Sequence, residues 1–133
     1  MNAPYDKNLN HPENLIHRTS SGNYVRSKSE MMIDMFLHVN NIPFRYECAL
    51  ELNSLIIYPD FTIRHPKTGE FYYWEHFGLM DNPSYAQNVP TKLRTYISND
   101  IIPDINLITT YETQANPLSV EAIKMLVEYY FLL

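Results

Sequence analysis

The most restrictive stretch of this 133-residue chain is Glu70 to Gly78, which reads Glu-Phe-Tyr-Tyr-Trp-Glu-His-Phe-Gly. Aromatic side chains fall on both faces of its period-2 pattern, and a strand carries that pattern when layers cover it on two sides. The run is therefore a central strand, and it holds an acid, Glu75, in its interior. The turn residues His65-Pro66-Lys67-Thr68-Gly69 precede it. Before them, Leu55 to Arg64 is rich in Ile, Tyr, Phe and Thr, so the two runs form a hairpin. Pairing about Pro66-Lys67-Thr68 puts Asp60 roughly opposite Glu75.

The other elements follow from this centre. Phe44 to Leu50 alternates Phe44, Tyr46, Cys48 and Leu50 against Arg45, Glu47 and Ala49, which predicts a strand. Met32, Ile33, Phe36, Leu37 and Asn40 recur at helical spacing over Ser27 to Asn40, and Ser27 and Glu30 fit a capping box. Pro43 marks the stop. A second helix starts at Asp81-Asn82-Pro83 and runs to about Ser98, with Pro90 expected to kink or split it. Ile105 to Thr110 reads as a short buried strand, and Asn116 to Tyr130 as a last helix with Pro117 at its start. The order α-β-β-β-α-β-α predicts an α/β fold with a mixed sheet flanked by helices and an extra C-terminal helix. Residues 1–24, dominated by Asn, His, Pro, Ser and Gly, read as a polar N-terminal arm, and 25–133 as a single domain.

Composition narrows the class. The chain is 45% hydrophobic and 19% charged, too apolar for a disordered protein. No apolar run approaches the ~18 residues of a membrane span. Cys48 is the sole cysteine, and no apolar signal core opens the chain, so a cytoplasmic setting is expected. Ten Lys and Arg against 15 Asp and Glu give a net charge of −5. That speaks against a protein that coats nucleic acid through charge alone. It speaks less against a metal-dependent nuclease, whose bound cations reverse the field of its carboxylates.

Asp60 and Glu75 are acids within runs that otherwise read as buried strand. Burial of an ionised carboxylate requires a cation, hydrogen bonds or an open cleft. Two such acids on adjacent strands repel each other and suit a hard divalent cation, although an ion pair with Arg or Lys would also satisfy them. By itself Glu30 reads as a capping glutamate, and Glu47 as a solvated residue. Lys92 and Tyr96 share a helix face. His76 follows Glu75 and points to the opposite face, as a core histidine with a hydrogen-bond partner. His11, His17, His38 and His65 have no zinc spacing, and the three glycines form no phosphate loop.

Ser27-Lys28-Ser29-Glu30 on a helix, Tyr58-Pro59-Asp60-Phe61-Thr62-Ile63 on a strand, Trp74-Glu75-His76-Phe77-Gly78 on the next, and Lys92-Leu93-Arg94-Thr95-Tyr96 on the following helix form one pattern. Over about Val25 to Glu112 it resembles the PD-(D/E)XK nuclease superfamily, in particular small domains with a WEHxG-type third motif. The resemblance implies a restriction-endonuclease-like α-β-β-β-α-β core. It also implies metal-dependent hydrolysis of DNA phosphodiesters, with Mg²⁺ or Mn²⁺ as the metal. Asp60 would be the central metal ligand, Glu75 the second, Glu30 the helix-one acid near the metal, and Lys92 and Tyr96 the pair that stands where RecB-like members carry Gln-x-x-x-Tyr. The superfamily's lysine falls at Phe77, so Lys92 would have to replace it from the helix. Arg26, Lys28 and Arg94, with Arg18, are candidate contacts to the DNA backbone.

Two other readings stand beside this one. Phe77 and the negative net charge fit a nuclease-fold module without activity, used for nucleic-acid binding or assembly. The apolar terminus Tyr129-Tyr130-Phe131-Leu132-Leu133 fits a surface that packs on the domain or on a second copy of the chain as a homodimer.

Overall fold

The computed structural model describes residues 1 and 3–133. Its elements in chain order are β1 (His17–Arg18), β2 (Tyr24–Val25), α1 (Lys28–Val39), β3 (Phe44–Tyr46), β4 (Leu50–Leu52), β5 (Leu55–Ile57), β6 (Phe61–Arg64), β7 (Phe71–Phe77), α2 (Pro83–Ile97), β8 (Leu107–Tyr111) and α3 (Val120–Val127). The protein is a mixed α/β fold whose main sheet has the order β3-β6-β7-β8. β3–β6 and β6–β7 pair antiparallel, and β7–β8 pair parallel. Among the described residues no helix is long and apolar enough to cross a membrane.

The double-sided apolar pattern of β7 decides the layering. Trp74 faces a core built from Ile33 and Leu37 of α1, Phe61 and Ile63 of β6, Ile108 of β8, Ile123 and Val127 of α3, and Phe131. Tyr73 faces the other way, onto a smaller core of Tyr96, Ile101 and Leu107, to which Leu93 and the β4–β5 hairpin add Leu50, Leu52 and Ile57. Helices thus cover both faces. Ile33 and Leu37 are fully buried, and each contributes about 1.5–3 kcal/mol by leaving water. Trp74 is also fully buried, and its indole N–H donates to Thr110 Oγ1 at 3.1 Å, so the ring carries no unpaired polar group.

Several boundaries differ from the sequence reading. The first two expected strands are each broken, at Glu47 and at Tyr58–Asp60. Pro59 has no N–H for the ladder, and Glu47 has φ +49. Leu50–Leu52 and Leu55–Ile57 then form a separate hairpin. α2 is one helix through Pro90. Pro90 is exposed on that helix, so water can reach the carbonyl that loses its donor. β8 begins at Leu107 because Asp104, at φ +68, belongs to a turn. The last helix starts at Val120, where the Ser119 hydroxyl caps the Ala122 N–H. It then widens into a π turn over Glu128–Leu132.

Residues 1–24 are tied to the domain along much of their length. β1 pairs with β2, and Lys7 bridges to Cys48. The Tyr5 hydroxyl donates to the Tyr46 carbonyl at 3.1 Å and accepts the Tyr46 N–H at 3.2 Å, closing the free edge of β3. Ser21 and Asn23 donate to the fully buried Asp34 carboxylate of α1 at 2.7 and 2.9 Å. Tyr5→Phe is expected to cost about 1 kcal/mol, read as a lower urea midpoint, because it leaves both Tyr46 main-chain groups without a partner. At the other terminus Phe131 is buried and Tyr130 packs edge-on against Tyr72, while Tyr129 and Leu133 are exposed.

Candidate active site

β3 and β6 stop pairing side by side at Glu47 and Asp60, where the Glu47 N–H still donates to the Asp60 carbonyl at 2.9 Å. Extending the register of β6 and β7 past Phe61–Trp74 sets Asp60 beside Glu75, as the turn position predicted. Glu47, Asp60 and Glu75 therefore lie in one row across three adjacent strands. The gap where the strands part is a cleft of about 670 Å³, lined by these three acids, by Glu30 of α1 and its cap Ser27, by Lys92 of α2 and by Asn8, Asn10, His11 and Asn14 of the arm.

Each acid has distinct partners. Glu75 is 2% exposed; its Oε2 accepts from Lys92 Nζ at 3.0 Å and its Oε1 from the Tyr96 hydroxyl at 2.5 Å. Glu30 accepts from Tyr46 Oη and Ser27 Oγ, each at 2.7 Å. Asp60 accepts the His76 N–H at 2.7 Å. Glu47 is buried and takes a two-pronged bond from Arg26, at 2.6 and 3.0 Å. The remaining donors of Arg26 reach the carbonyls of His11 and Asn10 at 2.8 and 2.7 Å.

The charges shift one another. Burial, then the nearby Glu75 and Glu30 carboxylates, push the Asp60 carboxyl well above the usual carboxylate range, against the pull of Lys92 and the His76 N–H. Burial also raises Glu30, and its bonds from Tyr46 and Ser27 offset only part of that. For Lys92, burial favours the neutral amine, but Glu75 and Asp60 outweigh it and keep the ammonium charged. Burial, followed by the adjoining carboxylates, raises the phenols of Tyr46 and Tyr96 far above their ordinary value, so both remain O–H donors.

Oxygens of Glu30, Glu47 and Asp60 lie within 4.8 Å of one another. Carboxylate oxygens at that spacing suit a hard divalent cation. Five acids line the cleft; Arg26 and Lys92 answer Glu47 and Glu75, Glu112 is bonded by Ser29 and His76, and a divalent cation would balance Glu30 and Asp60. The donor set therefore fits a metal ion. It differs from the sequence reading, which paired Asp60 with Glu75 as ligands. Here it is Glu47 that shares the 4.8 Å cluster with Asp60 and Glu30, while Glu75 is bonded by Lys92 and Tyr96, as Glu47 is by Arg26 and Glu30 by Tyr46 and Ser27.

The structure brings Glu30, Asp60, Glu75, Lys92 and Tyr96 to one site. It does not leave Arg26 free for a phosphate, because Glu47 and two carbonyls occupy its guanidinium. Lys28 and Arg94 are exposed. Phe77, at the position of the superfamily's lysine, is buried and stacks on Tyr111 at 5.2 Å. The sequence reading passed over Glu47 and Glu112. Alternation placed Glu47 among solvated residues, and its left-handed backbone, which turns it inward, has no signature in a Tyr-Glu-Cys stretch. His76 does face away from Glu75: Nδ1 meets Thr110 Oγ1 at 2.7 Å and Nε2 meets Glu112 Oε1 at 2.5 Å. Burial works to raise the Glu112 carboxyl, yet bonds from Ser29, His76 and the Leu118 N–H hold it below the usual range. No protein-family model, curated protein or solved structure matches this chain, and the geometry of the cleft carries the functional reading.

Proposed function

We propose that this chain is a metal-dependent nuclease that hydrolyses DNA phosphodiester bonds, built on a restriction-endonuclease-like core. The observation that carries this reading is convergence. Glu30, Asp60, Glu75 and Lys92 come from four separate elements or their edges, and all line one cleft. The order α1-β3-β6-β7-α2-β8 around a mixed sheet is compatible with the α-β-β-β-α-β core that the motifs resemble.

Mg²⁺ or Mn²⁺ would be held by Glu30, Glu47 and Asp60. Such an ion, when bound, neutralises phosphate charge and lowers the pKa of a water. The chain's own residues supply the rest. Lys92 neutralises Glu75, Tyr96 donates to it, and Glu75 in turn fixes the Lys92 ammonium at the cleft. Lys92 is 43% exposed, so one side of it remains open to a substrate phosphate. In hydrolysis a water oxygen bonds to phosphorus, the ester bond to the leaving sugar oxygen breaks, and that oxygen takes up a proton. Lys92 offers both a fixed positive charge for the pentavalent transition state and an N–H beside it. Lys28 and Arg94 would touch the DNA backbone, giving modest, salt-dependent affinity.

The test is cleavage of supercoiled plasmid, linear duplex and single-stranded DNA with Mg²⁺, with Mn²⁺ and with EDTA. Metal-dependent cutting that Asp60→Ala abolishes is the expected result. Folded protein that cuts none of these and takes up no Mn²⁺ in calorimetry would leave instead the inactive module for nucleic-acid binding or assembly.

A further inference from the structure

On the α1 side of the sheet a second group of polar side chains, His76 and Glu112 among them, also lines the cleft, and the hydrolytic reading does not use it. At its centre is Glu112, the residue after β8. Its main chain is pinned at both ends: its N–H donates to the Phe77 carbonyl at 3.0 Å, and its carbonyl accepts the Met80 N–H at 3.2 Å. From that fixed base its carboxylate reaches α1, β7 and the segment that leads into α3. Oε1 meets Ser29 Oγ of α1 and His76 Nε2 of β7, both at 2.5 Å, and Oε2 accepts the Leu118 N–H at 3.1 Å. Its side chain is 16% exposed, and that of His76 is 2% exposed.

Two of these partners are neighbours of the acids. Ser29 precedes Glu30 on α1. The main-chain N–H of His76 is the donor to Asp60 Oδ2, at 2.7 Å. The His76 ring is held at both nitrogens, by Glu112 and by Thr110, and its main chain lies opposite Thr110 in the β7–β8 ladder. One carboxylate thus spans the helix that carries Glu30 and the strand that orients Asp60.

We infer that Glu112 is a positioning residue for the acidic cleft, setting Glu30 through Ser29 and Asp60 through the His76 main chain. For its effect on cation binding the inference rests on the metal reading above; for the geometry of Asp60 it stands alone. Residues that hold a ligand from behind typically change metal affinity by about 10–100-fold when removed.

The experiment compares the full-length chain with Glu112→Ala and Glu112→Gln. Two quantities are read: the Mn²⁺ dissociation constant by calorimetry, and the hydrogen exchange of the His76 amide relative to the Trp74 amide on the same strand. Taking the ratio removes any change in global stability. Glu112→Ala is expected to raise the exchange ratio about tenfold, the equivalent of one lost hydrogen bond. It is also expected to weaken Mn²⁺ by about 10–100-fold. Glu112→Gln keeps the length and its one acceptor oxygen can still serve Ser29 and His76, losing only the Leu118 N–H, so it should restore most of both quantities. An unchanged exchange ratio in Glu112→Ala overturns the inference, whatever Mn²⁺ does. If the unmodified chain and Asp60→Ala are alike in taking up no Mn²⁺, the metal reading falls, and the exchange ratio still decides the role of Glu112. Should Glu112→Ala fail to fold, the ratio is read in Glu112→Asp, which keeps the charge but is one methylene too short to reach all three partners.

Discussion

Lys92→Ala is expected to slow metal-dependent cleavage by about 10³-fold, the scale of losing one fixed charge-stabilising donor at a reaction centre. It should also destabilise the protein. Glu75 is 2% exposed and has two side-chain partners, Lys92 and Tyr96. Removing one partner of a buried pair costs about 3–5 kcal/mol, because the other charge stays behind. Lys92 is 43% exposed, so water can enter where it stood, and about 2 kcal/mol is the better figure. The two effects separate in the double variant Lys92→Ala/Glu75→Gln. A neutral amide can still accept from Tyr96 and leaves no buried charge, so the urea midpoint should return towards that of the unmodified chain while cleavage stays lost. If the double variant regains cleavage, Lys92 serves only to neutralise Glu75. If Lys92→Ala alone cuts at the original rate, the lysine has no part in the reaction.

Asp60→Asn should move stability in opposite directions with and without a cation. The Asp60 carboxyl lies well above its ordinary value of 3.8 because it is buried beside Glu75 and Glu30. The folded protein therefore holds a proton at Asp60 at pH values where the unfolded chain has released it. That contribution is intact below the ordinary value and is lost as pH rises towards the raised one, so Asp60 lowers the stability of the metal-free fold at neutral pH. Asn carries no charge and can still accept the His76 N–H. The metal-free variant should thus gain about 1 kcal/mol at neutral pH, or ~4 °C in Tm, and the gain should shrink on acidification. With Mn²⁺ at about a hundred times its dissociation constant, the unmodified chain should gain ~2.7 kcal/mol and the variant close to none. Thermal melts from pH 4 to 8, with and without Mn²⁺, check both signs. A variant less stable than the parent in metal-free buffer at pH 7 would mean that Asp60 is not under electrostatic strain.

The parts of the fold that were legible are those where local chemistry and burial agree. The turn at His65–Gly69 lies between two strong strand formers, and its position alone set Asp60 beside Glu75. Ser27 and Glu30 marked the start of α1 because the cap is built from neighbours in sequence. Boundaries were misjudged where a distant contact outweighs a local signal. Ser119 begins α3 because Thr113 and Asn116 already bond to each other in a turn, so Pro117 cannot start the helix there. Pro90 stays inside α2 because the apolar face of that helix, with Tyr96 and Leu93, is held against the sheet.

The same division runs through the site. That Asp60 lies beside Glu75, and that Lys92 and Tyr96 share a helix face, was readable in the sequence; that the two pairs meet was implied only by the resemblance. Strand alternation, a turn of known length and an i to i+4 helix spacing are properties of the chain itself. Which acid takes which partner was not readable. Glu75 could have met a metal or a cation, and Lys92 reaches it only because α2 packs across β7. The capture of Arg26 by Glu47 and the reach of Glu112 to Ser29 and to His76 span 21, 83 and 36 residues of sequence. Contacts of that separation leave no periodic trace. They are chosen only when buried charges must find partners inside a finished fold.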